Sequence, residues 1–595
     1  MRKPRLLAAG NRWGRLAAVE LRVDDVPLVA ERLADARLER IWPGLAEALG
    51  HCPMPRTSGS APWAEALARL ALGLLRCLSP VDIHARVDAR RWPAAVVVGC
   101  FHYQATVDAL RLALRLLDDR DEATLAAIAG RFVDTYSDAL PARDQWMLMQ
   151  GLAARGLGWR HAEQETWWRD LAFGEGFRRR RLRQTITDRT SEFAGALAER
   201  KDLCSRFLAH HLFPVPEQRA AEDAAAAVAA ADAIGYPVVV KPIDRSGGVG
   251  VAAGLTDAAA VVESFRAARR HSAGVVVEAF LPGHDYRVLV IGGRVVAAAW
   301  RRPARVVGDG VRDVTALVAA ANADPQRRRG GNLKPIVLDA ESDRLLAARS
   351  WTRAAVPAEG EVVPLRSAGN HAQGGDAIDV TARVHPDNVA LARQAALVIG
   401  LDVAGVDLVL PDIARSWRET GGGICEVNRL PSLLVHATTA SGPVAVDALL
   451  DHVVPSGEAM RIPIVAVLGE GADEIAAEAA GSLTAAGLAV GAAHAGGLDA
   501  SGLPLADPGP GEPERVRLLV DDPASAAVVV AVPPRTVLAL GFGHDRCDLA
   551  VSVDPDVPPA VLRLFARLGA EVATFSGADA RSQAVARIVA RCLPG

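Results

Sequence analysis

The sequence predicts a multidomain α/β protein, because its residue patterning changes twice along the chain. At 595 residues the chain is too long to fold around one hydrophobic core. Residues 1–140 mix short strand-like runs with amphipathic helical stretches, which predicts an α+β domain. Residues 141–458 interleave strands, glycine turns and alanine-rich helices. Residues 459–595 alternate strands with helices, the order that is typical of a parallel sheet.

Individual elements follow from the same patterns. The apolar run at residues 94–99 predicts a strand, and the periodic run at 108–117 predicts a helix. In the last region, a strand at 464–469 is followed by a helical run from Asp473. The Gly/Pro-rich segment 503–513 is predicted to be a loop.

Composition excludes several classes of function. The net charge is −3 without a long tract of one sign, so neither nucleic acid nor an anionic membrane is expected as a partner. No apolar run approaches the roughly 20 residues of a membrane-spanning helix, and the amino-terminal apolar stretch is too short for a signal peptide. The seven scattered cysteines include no CxxC pair, which argues against a disulfide framework or zinc site and for a cytoplasmic protein. One basic cluster, residues 178–183, is either a solvated element or a surface that meets an anionic substrate chain.

Lysine usage points to the first candidate site. The chain holds four lysines, at positions 3, 201, 241 and 334, against sixty-three arginines. Arginine is a wide planar fork, whereas lysine is a compact charge on a thin stem that suits narrow phosphate pockets. Lys241 ends an apolar strand pattern that runs into the glycine-rich loop 246–250, where backbone N–H groups can reach phosphate oxygens. The position of Lys241 therefore predicts a phosphate site.

Three oxygen-bearing side chains follow later in the chain. Asp407 lies in an apolar strand pattern, where a lone charge is costly unless it is paired or bound to a metal. Glu426 and Asn428 are two residues apart, so on a strand their side chains point to the same face. Such oxygen donors suit Mg²⁺ that bridges nucleotide phosphates.

Taken in order, these motifs resemble the ATP-grasp family of carboxylate–amine ligases. The resemblance implies a central ATP-grasp fold that uses ATP and Mg²⁺, and it assigns roles position by position. It implies that these residues bind ATP: Lys201 and Lys241 at the α- and β-phosphates, Ser246, Gly247 and Gly248 at the γ-phosphate, Glu278 at the adenine and Asp285 at the ribose. It implies that Mg²⁺ is held by Asp407, Glu426 and Asn428.

The resemblance narrows to the cyanophycin synthetases. Segments 184–191, 285–290, 306–311 and 374–381 look like the middle domain of that family, as does the whole run 235–436. Enzymes of this family phosphorylate a carboxylate, and an incoming amine then displaces the phosphate. The resemblance implies that charge on the acyl phosphate and on the tetrahedral intermediate is stabilised by three residues, Arg287, Arg366 and Asn370.

One family motif departs from the pattern in this chain. Family members often have Pro-Gly-Leu-Arg-Met-His after the metal ligands, whereas this chain has Pro431-Ser-Leu-Leu-Val-His436. His436 is kept and is a candidate substrate residue, but the arginine is replaced by Leu434. The segment lies near the acceptor or the incoming amine in the family, so the identity of the substrate stays open.

The carboxy-terminal region resembles a Mur ligase that has lost its chemistry. Full-length cyanophycin synthetases carry a P-loop there, which needs glycine, then lysine, then serine or threonine. This chain has Ala472, Asp473 and Glu474 at those positions, and two carboxylates would repel phosphate by several kcal/mol at short range. We therefore predict that residues 459–595 are a truncated Mur-ligase-like remnant, structural or used in assembly.

Together these resemblances imply a short cyanophycin synthetase with a single active site. Such an enzyme joins preformed β-aspartyl-arginine dipeptides to a growing peptide polymer and uses one ATP per bond; we also expect a homo-oligomer. Two alternatives stay open. One is an ATP-grasp ligase that joins another amino acid or dipeptide, and the other is a catalytically inactive scaffold. Lys334 receives no role.

Overall fold

The structure is a computed structural model. It describes residues 143–161, 170–243, 250–327, 332–367, 369, 373–454, 460–505 and 512–593. Of the first 140 residues it describes the strands and helices given next and the helical residues 67 and 70–75. The predicted domain boundaries after residues 140 and 458 fall outside the described residues.

The described strands and helices alternate along the whole chain. The strands are β1 (Arg5–Leu7), β2 (Ala18–Val23), β3 (Ala85–Asp88), β4 (Ala94–Gly99), β5 (Trp159–His161), β6 (Asp170–Phe173), β7 (Arg180–Arg183), β8 (Ile186–Thr187), β9 (Gln218–Ala221), β10 (Val238–Pro242), β11 (Ala252–Leu255), β12 (Val275–Ala279), β13 (His284–Ile291), β14 (Arg294–Arg302), β15 (Arg305–Val307), β16 (Val362–Pro364), β17 (Asp376–Asp379), β18 (Val403–Leu410), β19 (Gly423–Asn428), β20 (Ile464–Leu468), β21 (Val490–His494), β22 (Gly497–Ala500), β23 (Leu503–Leu505), β24 (Ala527–Val532), β25 (Leu549–Ser552) and β26 (Glu571–Thr574). The helices are α1 (Tyr103–Asp118), α2 (Glu122–Ser137), α3 (Arg143–Ala154), α4 (Glu192–Glu199), α5 (Lys201–His210), α6 (Ala224–Ile234), α7 (Ala258–Arg269), α8 (Val314–Asn322), α9 (Ala340–Ala347), α10 (Pro386–Ile399), α11 (Trp417–Thr420), α12 (Leu434–Ala437), α13 (Gly442–Val453), α14 (Ala472–Ala485), α15 (Glu512–Asp521), α16 (Pro534–Leu540), α17 (Pro559–Arg567) and α18 (Ala580–Cys592). Within the described residues, no helix is both long and apolar enough to cross a membrane.

The amino-terminal elements have the predicted α+β character. Strands β1 to β4 form an antiparallel sheet in the order β1-β2-β4-β3, and helices α1 and α2 follow it in the chain. The strand predicted at residues 94–99 is β4, and the predicted helix at 108–117 lies within α1. Both predictions are confirmed.

Two antiparallel sheets form the central region. The first has the order β11-β10-β12-β9. The residues of β10 alternate, so that Val238 and Val240 pack with α6 and α7 in one core cluster while Lys241 points to the other face. This alternation is what frees the lysine for the candidate site.

The second central sheet has the order β17-β14-β13-β18-β19 and is covered on both faces. On one face, Val288, Val406 and their neighbours pack against α10 in a large core. On the other face, Leu289 and Val403 pack in a second core with residues of α3, β6 and α13. The remaining length of this second face is polar and forms the candidate site described below.

The carboxy-terminal region folds around a seven-stranded sheet in the order β23-β22-β21-β24-β20-β25-β26. Strands β21, β24, β20, β25 and β26 are mutually parallel, which confirms the predicted parallel α/β pattern. The prediction of a loop over residues 503–513 is wrong at both ends, because Leu503–Leu505 is a strand and Glu512–Asp521, which includes Pro513, is a helix. Leu503–Leu505 forms the edge strand β23, because Gly502, with φ of +95°, closes a tight turn that pairs Leu503 with Ala500.

Candidate functional site

A polar row crosses the five-stranded sheet. Strand register places Asp379, Ala299, Arg287, Asp407 and Glu426 side by side on β17, β14, β13, β18 and β19. Neighbours in register point to the same face of a sheet, so these side chains share one surface although they lie far apart in the chain. The adjacent row pairs Asp285 of β13 with Arg301 of β14.

Four of these side chains form an ion network that is buried at Arg287 and Asp407 and partly exposed at Arg301 and Asp285. Arg287 donates to both carboxylate oxygens of Asp407, with Nη2 lying 3.2 Å from Oδ2. Arg301 bridges the two acids, at 3.0 Å from Asp407 Oδ2 and 2.6 Å from Asp285 Oδ1. Arg287 and Asp407 are 7% and 4% exposed. Two positive and two negative charges therefore compensate one another where neither sign could stand alone.

The network sets the pKa of its acids. Burial alone would raise the pKa of Asp407, but the charges of Arg287 and Arg301 lower it below its usual range. Burial raises the pKa of Asp285, and the charge of Asp407 adds to this against the opposing Arg301. Asp407 therefore stays a carboxylate with both oxygens able to accept.

The two candidate phosphate lysines lie on a neighbouring cleft between α5, β10 and β19. Lys201 begins α5, and its Nζ lies 3.1 Å from each carboxylate oxygen of Glu426. Lys241 Nζ lies 2.5 Å from Glu278 Oε2, an oxygen to which Gln218 also donates. Burial disfavours the charged lysine, but Glu278 raises the pKa of Lys241 above its usual value. Lys201, Gln218, Lys241 and Glu426 all line this cleft.

A register shift shapes the cleft wall. Asp407 pairs with Glu426, whereas the next residue of β18, Leu408, pairs with Ile424, so Cys425 is left as the extra residue of a bulge. Both Cys425 and Glu426 line the cleft as a result. Strict strand alternation would have placed only one of them there.

His436 lies beside the ion network and is completely buried. Within the described part of the chain, neither ring nitrogen has a hydrogen-bond partner. Burial, with the charge of Arg287 as the next cause, lowers the pKa of His436 to about 4, so the ring is neutral at pH 7. The preceding loop is held by Asp144 of α3, which accepts from Ser432 Oγ and Leu434 N, both at 2.9 Å.

Arg366 has its guanidinium committed elsewhere. It makes paired hydrogen bonds of 2.9 Å to Asp339 and donates to Ser342 Oγ at 2.7 Å and to the Val337 carbonyl at 2.9 Å. These partners lie around the start of α9, and within the described residues no hydrogen bond or ion pair joins Arg366 to Arg287.

Large parts of the sequence match known proteins. Residues 198–308 match the RimK-like ATP-grasp domain family. The chain is 35% identical to cyanophycin synthetase of Nostoc sp. over 341 residues, which cover 56% of this chain and 38% of that protein. It is 31% identical to cyanophycin synthetase of Synechocystis sp. over 446 residues, covering 73% and 49%. The chain belongs to the cyanophycin synthetase family of ATP-grasp proteins.

A second kind of relative shares part of the same region. The glutathione biosynthesis bifunctional protein of Mannheimia succiniciproducens is 32% identical over 308 residues, covering 50% of this chain and 40% of that protein. The chain spans at most about half the length of these curated relatives.

The predicted site residues of this family member fall into three groups. Brought together are the pairs Lys201–Glu426 and Lys241–Glu278 and the cluster of Asp285, Arg287, Asp407 and Asn428, whose Nδ2 lies 3.3 Å from Asp407 Oδ2. Arg366 lies apart, and His436 is near the cluster but enclosed. Four predicted residues lie outside the described residues: Ser246, Gly247, Gly248 and Asn370. Gly369, the neighbour of Asn370 in the sequence, packs directly on the carbonyl of Arg301.

The residues of this family member fit Mg²⁺ as a donor set. Asp407, Glu426 and Asn428 offer carboxylate and amide oxygens, the ligands that a hard cation prefers. Within the described residues, no group of three or more His, Cys, Asp or Glu side chains could hold a metal by itself. A cation here would therefore depend on nucleotide oxygens for further ligands.

The predicted remnant of a P-loop lies between β20 and α14. The strand–turn–helix shape survives as β20, Gly469, Gly471 and α14. However, Asp473 accepts from Ala495 N at 2.5 Å, and Asp554 accepts from Glu470 N at 3.0 Å. Asp473 and Glu474 lie in the first turn of α14, so a phosphate bound at this helix start would meet like charge.

Sequence reasoning missed several residues that shape this site: Arg301, Gln218, Asp144 and Asp379. Arg301 gave little signal because it is one of sixty-three arginines and sits next to Arg302. The informative feature of Arg301 is its place opposite Asp285 on the neighbouring strand. Only the strand register shows this pairing.

Gly405→Ala is expected to impair this family member without unfolding it. A Cβ at residue 405 would lie 2.9 Å from Arg287 Nη1 and 2.8 Å from Pro431 Cβ, so the arginine must move. We expect kcat/KM to fall by about 10- to 100-fold, because small displacements near reacting groups are costly. Steady-state ADP release measures this. Gly481→Ala is the matched control, since a Cβ there meets nothing within 4 Å; an equal loss in that variant would contradict the prediction.

Proposed function

We propose that this chain is an ADP-forming ligase that extends cyanophycin by one β-aspartyl-arginine dipeptide for each ATP consumed. One observation carries the proposal. The described residues contain a single cleft that pairs two lysines with the acids of an ATP-grasp fold, while the former P-loop position is filled by Asp473. A ligase with one nucleotide site is expected to form one kind of bond. A ligase that joins a preformed dipeptide forms one kind of bond per cycle.

The roles of the site follow from charge. Lys201 and Lys241 would meet the α- and β-phosphates, with the loop of Ser246, Gly247 and Gly248 at the γ-phosphate and with Glu278 and Asp285 on the nucleoside side. Mg²⁺ would be held by Asp407, Glu426 and Asn428, and when bound it supplies positive charge to the phosphate oxygens. In the structure Lys201 and Lys241 are paired with Glu426 and Glu278. Phosphates would replace these acids as partners of the lysines.

The reaction needs two displacements. An oxygen of the polymer's terminal carboxylate attacks the γ-phosphorus, the bond to the β-phosphate oxygen breaks, and ADP leaves. The amine nitrogen of the dipeptide then attacks the acyl carbon, the carbon–oxygen bond to phosphate breaks, and the nitrogen loses its proton. Arg287 is the described arginine best placed to stabilise the developing oxyanion. Arg366 and Asn370 are proposed to share this role.

The deciding experiment measures ADP release with a cyanophycin primer. β-Asp-Arg, free Asp, free Arg and other dipeptides are offered separately, and Asp plus Arg together. We expect turnover with β-Asp-Arg alone. Turnover with another dipeptide would favour the alternative that Leu434 suggests, and turnover with Asp plus Arg would contradict the loss of the second site. No ADP release with any mixture would favour the scaffold. We further propose a cytoplasmic homo-oligomer, which sedimentation of the purified chain would test.

A further inference from the structure

We infer that the carboxy-terminal region, residues 460–593, braces the acceptor side of the ligase site through the small antiparallel sheet β5-β6-β7-β8. The loop that it would brace is residues 431–436, called the acceptor loop below. The effect on catalysis rests on the proposed function, whereas the effect on the loop does not. The carboxy-terminal region would thus support the ligase site although it lacks the P-loop residues of a nucleotide site of its own.

The first end of the brace is the connection between β6 and β7. Glu175 is 5% exposed and accepts four hydrogen bonds from the carboxy-terminal region. Its donors are Ile462 N at 2.9 Å, His544 Nε2 at 3.0 Å, and Arg546 Nε and Nη2 at 2.7 and 2.5 Å. Burial alone would raise the pKa of Glu175, but His544 and Arg546 lower it to about 2. The carboxylate is therefore a fixed, charged anchor at pH 7.

The backbone around Glu175 packs tightly against the carboxy-terminal region. Phe177 N donates to Ser525 O, and Glu175 N donates to Met460 O, both at 3.0 Å. Gly176 has φ of +53° and lies so close to Ser525 O that no side chain would fit. Arg178 and Arg179 of the basic cluster donate to the carbonyls of Arg461 and Asp521. Part of that cluster thus serves the interface rather than solvent.

The second end of the brace is the turn between β7 and β8. Strand β7 is four residues long, so it spans about 13 Å from one end to the other. At the turn, Thr185 is 1% exposed and donates to Pro431 O at 2.9 Å. Pro431 begins the acceptor loop. The same strand thus connects the carboxy-terminal region to that loop.

The acceptor loop bears directly on the catalytic arginine. A Cβ on Gly405 would touch Pro431 and Arg287 together, so all three groups share one tight space. At the other end of the loop, His436 is buried next to Arg287. A displacement of Pro431 would therefore also displace Arg287 and the segment in which this chain differs from the family motif. Glu175 and Thr185 are positioning residues in this scheme.

The test compares the two ends of the brace. Glu175→Gln removes the anchoring charge, Thr185→Val removes the hydroxyl while keeping the shape, and the double variant combines them. We expect each single variant to lower kcat/KM for the dipeptide by about 10-fold and to leave the Kd for ADP with Mg²⁺ within about 2-fold. The double variant is expected to be no worse than the more affected single variant, because both act through one connection. Glu571→Gln, which breaks the exposed pair with Arg587 in the same region, is the matched control and should change neither value.

Hydrogen exchange provides a readout that needs no substrate. Amides of residues 432–437 should exchange faster in both single variants and at the normal rate in the control. Unchanged exchange in Glu175→Gln, or losses that multiply in the double variant, would overturn the brace. If the wild type forms no polymer but exchange in the acceptor loop responds as expected, the proposed function fails and the brace stands. His544→Leu, which removes one hydrogen bond to Glu175, serves if Glu175→Gln does not fold, and it should give smaller changes in the same direction.

Discussion

Lys241→Arg is expected to abolish ligation although it keeps the positive charge. Nζ of Lys241 lies 2.5 Å from Glu278 in a space that it shares with Gln218, and Glu278 is 4% exposed. A planar guanidinium is too wide to enter between these partners and still face a phosphate. We expect kcat/KM to fall by about 10³-fold, the upper range for losing one well-placed donor, together with weaker nucleotide binding. ADP release and titration with ADP and Mg²⁺ measure the two effects.

Lys334→Arg is the matched control for this substitution. Lys334 is exposed, and no role is assigned to it, so its replacement should leave both values unchanged. Near-normal turnover in Lys241→Arg would defeat the argument from lysine scarcity. In a chain with four lysines, that scarcity is the strongest sequence signal for the site.

The sequence predicts the fold well where the signal is local. Alternation in β10 and the parallel strand pattern of the last region are properties of short segments, and both are confirmed. The predicted loss of the P-loop also depends on a local signal, three consecutive residues, and it stays a prediction. The error at residues 503–505 has a local cause too, since a glycine turn can end a loop and begin a hairpin strand.

The site is only partly predictable for a physical reason. Sequence separation hides which strands are neighbours, so Arg287, Arg301 and Asp407 become one network only through register. The bulge at Cys425 shifts that register by one residue, which no alternation rule anticipates. The interface of Glu175 joins residues 287 positions apart in the chain. Its role depends on a contact between regions rather than on any motif.

Asp407→Asn and Glu426→Gln are expected to separate metal binding from stability. Both residues are proposed Mg²⁺ ligands, so both variants should lose Mg²⁺-dependent nucleotide binding. Asp407 is 4% exposed and accepts from two arginines, and its loss leaves two buried guanidinium groups against Asp285 alone. Removing one partner of such a buried network costs about 3–5 kcal/mol. Asp407→Asn should therefore also lower the free energy of unfolding by that amount.

Glu426→Gln should cost much less stability. The Glu426 side chain is 26% exposed and has one cationic partner, Lys201, whose side chain is 24% exposed. Pairs in contact with solvent contribute about 1 kcal/mol or less, because water screens them and can replace either partner. Urea unfolding of the two variants, with nucleotide titration with and without Mg²⁺, tests both expectations. If Glu426→Gln is destabilised as much as Asp407→Asn, then Lys201–Glu426 is a structural pair. ATP binding could then not depend on the lysines exchanging their acidic partners for phosphates.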